Sequence, residues 1–506
     1  MGKIIYNLRE NRKGDVVSKE NRAYDKFGRL AETAAGFSKS VKYAYDAKGR
    51  IARQTVGGTP IDYVYTKYGQ LAGKYLGGKQ NPEASVEYEY SKSGQIVART
   101  ANGARQTYEY DGRGQLLAVK NADGSDAERY AYDKAGNMVR KTVGGKTTTF
   151  TFDGANQLVS STTDDVTTKY AYDAAGRLVR EGAKTYRYGY LDKVLSVADG
   201  KNKFTYDYHV DGQLASANYG DGKSESFLWD GLALVKRGDE QFINEPHVGG
   251  GNPVVSSKGT SYFNDMLGTT LGSKAKYGKY SAAALTAFGE DISDASSCSP
   301  FPVPHSPFFT GKPHVPGLGH AFLFRNYRAG LAKWQTADPL GYPDGWNALA
   351  YCNNGVTSAV DILGAKVYAV FSISNQRLVV YDWDTAKKIV VQAFSGKENY
   401  RSVEYQWVPN FGPLPLGEYA IVSASEAHPS WFELWRYDGT LDDETFGPGG
   451  VRRGEFRLHE GNVSLGCITM KISDEAKAIV NMLKSTSYDW KLLSFKKIYG
   501  TLKVVE

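Results

Sequence analysis

The sequence predicts a mainly β chain: a long array of β-hairpins, then a small β-rich domain with one C-terminal helix. Three observations lead there. An aromatic-Asp-x-x-Gly unit recurs about every 20 to 25 residues up to about residue 235. Strand-type alternation continues through most of the remainder. A single stretch, opening at Ser473, sets apolar residues at helical spacing: Ala476, Ile479, Val480, Met482 and Leu483.

The repeat explains the unusual composition, 56 glycines and 36 tyrosines in 506 residues. Clear copies are Tyr24-Asp25…Gly28, Tyr45-Asp46…Gly49, Tyr110-Asp111…Gly114, Tyr132-Asp133…Gly136 and Tyr172-Asp173…Gly176. Looser copies start at Tyr65, Tyr90, Phe152 and Tyr208, with one degenerate interval around Tyr190. Alternation such as Lys42-Tyr43-Ala44-Tyr45 makes a strand, Asp opens the turn, Gly takes the positive φ, and the next residues begin the return strand. One hairpin cannot bury its own face, so successive hairpins must join into a continuous sheet. The aromatics fit either packing or a sugar-binding surface; their fixed place in every unit favours packing.

These units resemble the YD repeats of Rhs proteins and of the shell-forming subunits of insecticidal toxin complexes. The resemblance continues through residues 236–364, in Tyr262-Phe-Asn-Asp265-Met-Leu-Gly268, Phe309-Thr-Gly-Lys312, Phe324-Arg-Asn-Tyr-Arg328, Trp334-Gln-Thr-Ala-Asp338-Pro-Leu-Gly341 and Asn347-Ala-Leu-Ala-Tyr351. This order is similar to the Rhs-associated core. The resemblance implies a β-shell around a C-terminal cargo, with Asp338 helping the core to cut the chain near Gly364–Ala365. The second cleavage motif departs from the family pattern, with Ile362 in place of proline and Ala365 in place of leucine. The Pro/Ser-rich stretch Ser293–Pro307 reads as a surface loop. By family standards the array is short for a closed shell, so a longer parent protein is expected.

Past Gly364 the repeat stops, dividing the chain into 1–235 (repeats), 236–364 (core) and 365–506 (cargo). Strands are expected around Val367–Ser374, Arg377–Tyr381 and Lys388–Phe394, and after the proline-stiffened turn Phe411-Gly-Pro-Leu-Pro-Leu-Gly417. The chemistry concentrates in Arg453-Gly-Glu-Phe-Arg-Leu-His459-Glu-Gly-Asn-Val-Ser464-Leu-Gly466-Cys467-Ile-Thr-Met470. A thiol is a strong nucleophile only as thiolate, and a neighbouring imidazole is the usual means of making one near neutral pH. If the strands flanking this loop pair, His459 and Cys467 can come together. Gly466, just before the nucleophile, lets a carbonyl approach backbone N–H donors. The competing reading makes Cys467 a small buried hydrophobe. Ser464 has three readings: orienting His459, binding substrate or capping the loop. Arg453 or Arg452 reads either as a carboxylate partner or as a solvated arginine, and His428 as a weaker second base.

The Ser-Gly segment, Gly-Pro-Leu-Pro-x-Gly-x-Tyr and Phe-x-Leu-His…Ser-x-Gly-Cys-Ile, in this order, resemble the L,D-transpeptidase-like effectors of the type VI secretion system. One departure is Leu465, where housekeeping L,D-transpeptidases carry a second histidine. The resemblance implies a Cys467/His459 enzyme that removes D-Ala from peptidoglycan stem tetrapeptides or exchanges it for another D-amino acid. It further implies a cognate immunity protein, secretion-system delivery proteins, and action in the periplasm or cell wall of a target bacterium.

Composition narrows the alternatives. The formal charge is +7, yet basic and acidic residues balance from Ala365 to Glu506, so the cargo lacks the basic footprint of a nuclease and no nucleic-acid partner is expected. No run of about 18 apolar residues suggests a membrane span, and Met1–Glu10 lacks a signal peptide's apolar core. Cys298, Cys352 and Cys467 give neither a disulfide framework nor zinc spacing, so neither metal nor cofactor is expected. The order His before Cys argues against papain-like enzymes. The rival reading is a non-enzymatic surface or adhesion protein that binds glycans or cell wall; it needs neither Cys467 nor His459.

Overall fold

The computed structural model describes residues 4–505 except 11–15, 28, 37–38, 190–191, 210–211, 221, 231, 246–250, 293–307, 339–346, 358–359, 362–367, 383–386, 423–429, 438–440, 443, 447–450, 465 and 486–497. The loop expected at Ser293–Pro307 and the motif from Ile362 to Ala365 lie outside the described residues. The chain divides into two compact units, changing over between Gly364 and Ala365. It is mainly β, and no helix among the described residues is long and apolar enough to cross a membrane.

The first unit is built on a 28-stranded sheet in which each strand pairs antiparallel with the next. The repeat unit can be followed at Asp46. Its Oδ1 accepts from the Lys48 and Arg50 backbone N–H groups, both at 2.9 Å, and its Oδ2 from Arg50 Nε at 2.8 Å. One carboxylate therefore closes the turn and fixes the first side chain of the return strand. Arg50 then lies 4.1 Å from the ring centre of the next unit's aromatic, Tyr65. Tyr65 in turn donates its hydroxyl back to the Ile51 carbonyl at 2.9 Å.

This backward bond recurs from Tyr45 to Leu30, Tyr90 to Leu71, Tyr110 to Ile96 and Tyr132 to Leu116, at 2.6–2.7 Å. Each such bond contributes about 0.5–1.5 kcal/mol net. The repeat tyrosines are thus latches between hairpins, and their hydroxyls are engaged. The degenerate unit centres on Tyr188, whose hydroxyl reaches the Leu178 carbonyl at 2.7 Å, and Trp229 continues the series through its Nε1–H to the Leu214 carbonyl at 2.8 Å. An indole N–H can replace a phenol here because the latch needs only a donor at the end of a flat ring. The buried sheet residues share their core with Phe288, Phe309, Tyr327, Trp334 and Tyr351 of the segment that follows the sheet.

In the second unit, β1 (Tyr368–Ser372), β2 (Arg377–Asp382) and β3 (Lys387–Ser395) form a meander. After the proline-rich turn come β4 (Gly417–Val422) and β5 (Phe432–Tyr437). Then follow β6 (Arg457–Glu460), β7 (Ile468–Met470), α1 (Asp474–Ser485) and β8 (Ile498–Val505). The pairing order β4-β8-β1-β2-β3-β7-β6-β5 returns to β4, so the sheet closes on itself and leaves no free edge among these strands. The Ser473 hydroxyl accepts from the Ala476 N–H at 3.1 Å, capping α1, while Asp474 and Glu475 complement the helix dipole. Ala476, Ile479 and Leu483 are fully buried in the same core as Leu458, Ile468 and Met470.

Candidate active site

The site follows from strand register. β6 and β7 run parallel, pairing Leu458 with Ile468 and His459 with Thr469. β5 runs antiparallel on the other side of β6, pairing Phe432 with Leu458 and Glu433 with Arg457. Side chains alternate across a sheet, so Phe432, Leu458 and Ile468 point into the core and their neighbours point to the opposite face. On that face Trp431, His459, Thr469 and, through the β3 pairing, Phe394 form one row. Glu433 and Arg457 form the next. Cys467 directly precedes Ile468 at the start of β7, the strand paired with that of His459, and its thiol bonds to the Arg457 backbone.

The imidazole is held on three sides. His459 Nδ1 lies 2.9 Å from the Glu460 carbonyl oxygen. A carbonyl only accepts, so Nδ1 carries the proton and Nε2 keeps its lone pair. The Thr469 hydroxyl is 3.4 Å from Nε2 and 3.2 Å from the Val463 carbonyl. When the imidazole is protonated, Nε2–H can donate to this oxygen while the hydroxyl donates onward to Val463. The Trp431 ring stacks on the imidazole with centroids 4.2 Å apart and planes 18° apart.

Burial pushes the His459 imidazole below its ordinary pKa, opposed by its bond to Glu460. Burial also pushes the Cys467 thiol up, against the Arg457 backbone bond and the charges of Arg457 and Arg453. Both directions favour the neutral thiol and the neutral imidazole.

The loop carrying Cys467 is tied at both ends. The Ser464 hydroxyl donates to the Cys467 carbonyl at 2.6 Å and accepts from the Gly466 and Gly396 N–H groups at 3.3 and 3.2 Å. Its single proton is committed to the loop, so among the three readings the geometry matches capping. Ser395 donates to the Gly466 carbonyl at 3.0 Å and accepts from the Leu414 N–H at 2.8 Å. The Gly466 N–H, expected as an oxyanion donor, points to Ser464 in this state.

Arg453 is 5% exposed and faces inward. Its Nη atoms donate to the carbonyls of Gln406, Pro413 (2.5 Å) and Gly412 (3.0 Å), so it binds the proline-rich turn to the back of Gly466. Arg452 is exposed, and His428 lies outside the described residues. Sequence reading missed Trp431, Arg457 and Glu433 because their partnership with the His–Cys pair exists only across strands. The alternating Trp431-Phe-Glu-Leu-Trp435 was the one available signal.

In the first unit, Asp338 belongs to a separate buried cluster. Arg325 Nη2 bridges Asp338 Oδ2 at 2.7 Å and Asp361 Oδ2 at 3.0 Å. Among the described residues no group of three or more His, Cys, Asp or Glu side chains could hold a metal ion.

Two protein families match separate parts of this framework. Residues 389–491 match the Tlde1 domain, and residues 75–231 match the Teneurin YD-shell. The second unit is Tlde1-like, the first YD-shell-like. The Tlde1 match takes in both strands of the His459/Cys467 loop, Trp431 and the strand that follows it. Among solved structures, TcdB2-TccC3-TEV is similar at 14% identity and a TM-score of 0.49, over 71% of this chain and 23% of that one. The Photorhabdus luminescens Tc holotoxin pore gives the same identity and TM-score over 71% and 22%. TcdB2-TccC3 without its hypervariable C-terminal region matches over 71% and 23%. The chain thus spans under a quarter of the length of these structures. No curated protein matches the chain.

Proposed function

We propose that the chain is a polymorphic toxin whose Tlde1-like unit acts on peptidoglycan stem peptides through Cys467 and His459. In this reading it is a cysteine L,D-carboxypeptidase, an L,D-transpeptidase or both. The observation that supports the reading is the pairing of β6 with β7, which sets the strand of His459 beside the strand that Cys467 leads into, with the His459 lone pair at Nε2.

The chemistry follows from these groups. His459 Nε2 takes the Cys467 thiol proton as sulfur attacks the carbonyl of the diaminopimelate L-centre, forming a C–S bond. The tetrahedral oxyanion draws on backbone N–H groups of the 461–467 loop; the Gly466 N–H becomes available by exchanging its long bond to Ser464. The C–N bond breaks and D-Ala leaves with the proton from His459. The thioester then passes to water or to the amine of a D-amino acid, with His459 taking the incoming proton. A toxin of this kind calls for a cognate immunity protein and for delivery into the periplasm of a target cell. Asp338 remains the proposed residue for cutting the chain before the Tlde1-like unit.

The test is mass spectrometry of muropeptides after incubating tetrapeptide-rich sacculi with the wild-type chain and with Cys467→Ala. The expected result is tripeptides with wild type alone, and D-Met-containing tetrapeptides when D-Met is added. Intact tetrapeptides with a folded wild-type chain would overturn the reading.

The pH profile supplies a second test. The base must be unprotonated, and burial holds His459 below its ordinary 6.5. kcat/KM for D-Ala release is therefore expected to rise through an inflection below pH 6.5. The thiol, raised above 9.0, gives no second inflection near neutrality. An acid inflection above 6.5 would contradict the neutral pair.

A further inference from the structure

Trp431 stands just before β5, where the register sets it directly across from His459. The contact is a near-parallel stack, with centroids 4.2 Å apart. The indole is 38% exposed, whereas the imidazole beneath it is 6% exposed. The two bonds at Nδ1 and Nε2 fix the ends of the imidazole but leave rocking about the line joining them. Only a flat surface against the ring face stops that motion, and a large indole is the best surface for it.

The stack also acts on charge. An indole face attracts a cation placed over it, so it favours imidazolium over imidazole. Among the described residues, the charged groups on the neighbouring row are Arg457, two residues before His459, and Glu433, 4.0 Å from Arg457. Burial works against the imidazolium, and the Trp431 ring in contact with the imidazole works against that burial.

We propose that Trp431 is a positioning residue for His459: it holds the imidazole in the plane from which Nε2 takes the Cys467 proton and stabilises the imidazolium that results. This rests on the reading of Cys467 and His459 as nucleophile and base, and is independent of what the substrate is.

The experiment therefore uses no peptidoglycan. Iodoacetamide labelling of Cys467 in the full chain is followed by peptide mass spectrometry, which separates it from Cys298 and Cys352. The His459 imidazole pKa is followed by NMR of histidine-labelled protein. Four chains are compared: wild type, Trp431→Leu, Trp431→Phe and His459→Ala. Trp431→Leu keeps apolar bulk without a π face; it is expected to lower the His459 pKa by about half a pH unit. It should also slow labelling of Cys467 at neutral pH by about threefold. Trp431→Phe should restore most of both. Unchanged pKa and labelling in Trp431→Leu, alongside slowed labelling in His459→Ala, would overturn this proposal alone. Equal losses in the Leu and Phe variants would also overturn it, since the face and not the bulk is the cause. Unslowed labelling in His459→Ala would remove the pair itself, and this proposal with it. Muropeptide results bear only on the substrate. Because Trp431 lies outside the core and before its strand, neither Trp431 variant is expected to lose the fold.

Discussion

On the proposed mechanism, replacing Gly466 with alanine is expected to silence D-Ala release nearly as completely as removing Cys467. Gly466 has φ +124°, a conformation L side chains rarely adopt. A Cβ there would sit 2.5 Å from Arg453 Nη2 and 3.4 Å from the Gly412 carbonyl oxygen. An arginine tip usually moves aside cheaply. This one cannot, because its guanidinium is committed to three carbonyls of the 406–413 segment. The displacement must go into the loop, where the next residue is Cys467 and the bonds at risk are Ser464 to the Cys467 carbonyl and Ser395 to the Gly466 carbonyl. A shift of about 1 Å in a nucleophile costs on the order of 10²-fold in rate. We expect D-Ala release to fall by at least about 10²-fold and stability by about 2–4 kcal/mol. Steady-state rates measured beside thermal midpoints separate the two effects. Half of wild-type activity surviving in Gly466→Ala would show that Arg453 does not hold the loop.

The largest stability effect is expected in the first unit, at Arg325. Its guanidinium bridges Asp338 and Asp361, donates to the Ala348 carbonyl at 3.1 Å and lies 4.2 Å from the Trp334 ring centre. All three ionic side chains are buried. Arg325→Met keeps the volume and the contact with Trp334, but leaves two carboxylates without their shared cation. Breaking a buried pair from one side costs about 3–5 kcal/mol, and here two acids lose the same partner. Two carboxylates sharing a buried site repel one another, so the variant's deficit should shrink as pH falls. Lysine offers a single point charge where the guanidinium offers a fork, so Arg325→Lys should recover only part. Urea denaturation at pH 7 and pH 5 provides the measurement. A deficit below about 1 kcal/mol at pH 7 would mean that the cluster is not the electrostatic unit its geometry describes.

The hairpin array was legible because its turns and latches are local, although its core is shared with the segment that follows. Asp46 closes its own turn, and Tyr65 reaches only into the preceding hairpin. In the degenerate interval around Tyr190, the latch is made by Tyr188. At the candidate site, His459 and Cys467 were readable because one short loop joins them. Trp431 was not, since its place beside His459 depends on β5 pairing with β6, a partnership set by core packing of Phe432 and Leu458. Arg453 shows the same difficulty. Beside glycines it reads as solvated, yet the carbonyls of Gly412 and Pro413 turn inward and draw it under the loop.

The tyrosine latches point backward along the chain, and that direction has a kinetic consequence. A hairpin is fastened only when the following tyrosine has been made, so order spreads from the N-terminal side as the chain emerges. At synthesis rates of about 5–20 residues per second, a unit of about 20 residues appears every one to four seconds. A hairpin forms in microseconds, so each has time to settle before its latch arrives. The ribosome's pace then becomes an assembly schedule, in which each unit is a template for the next and mispairing with a later, similar strand is forestalled because that strand does not yet exist.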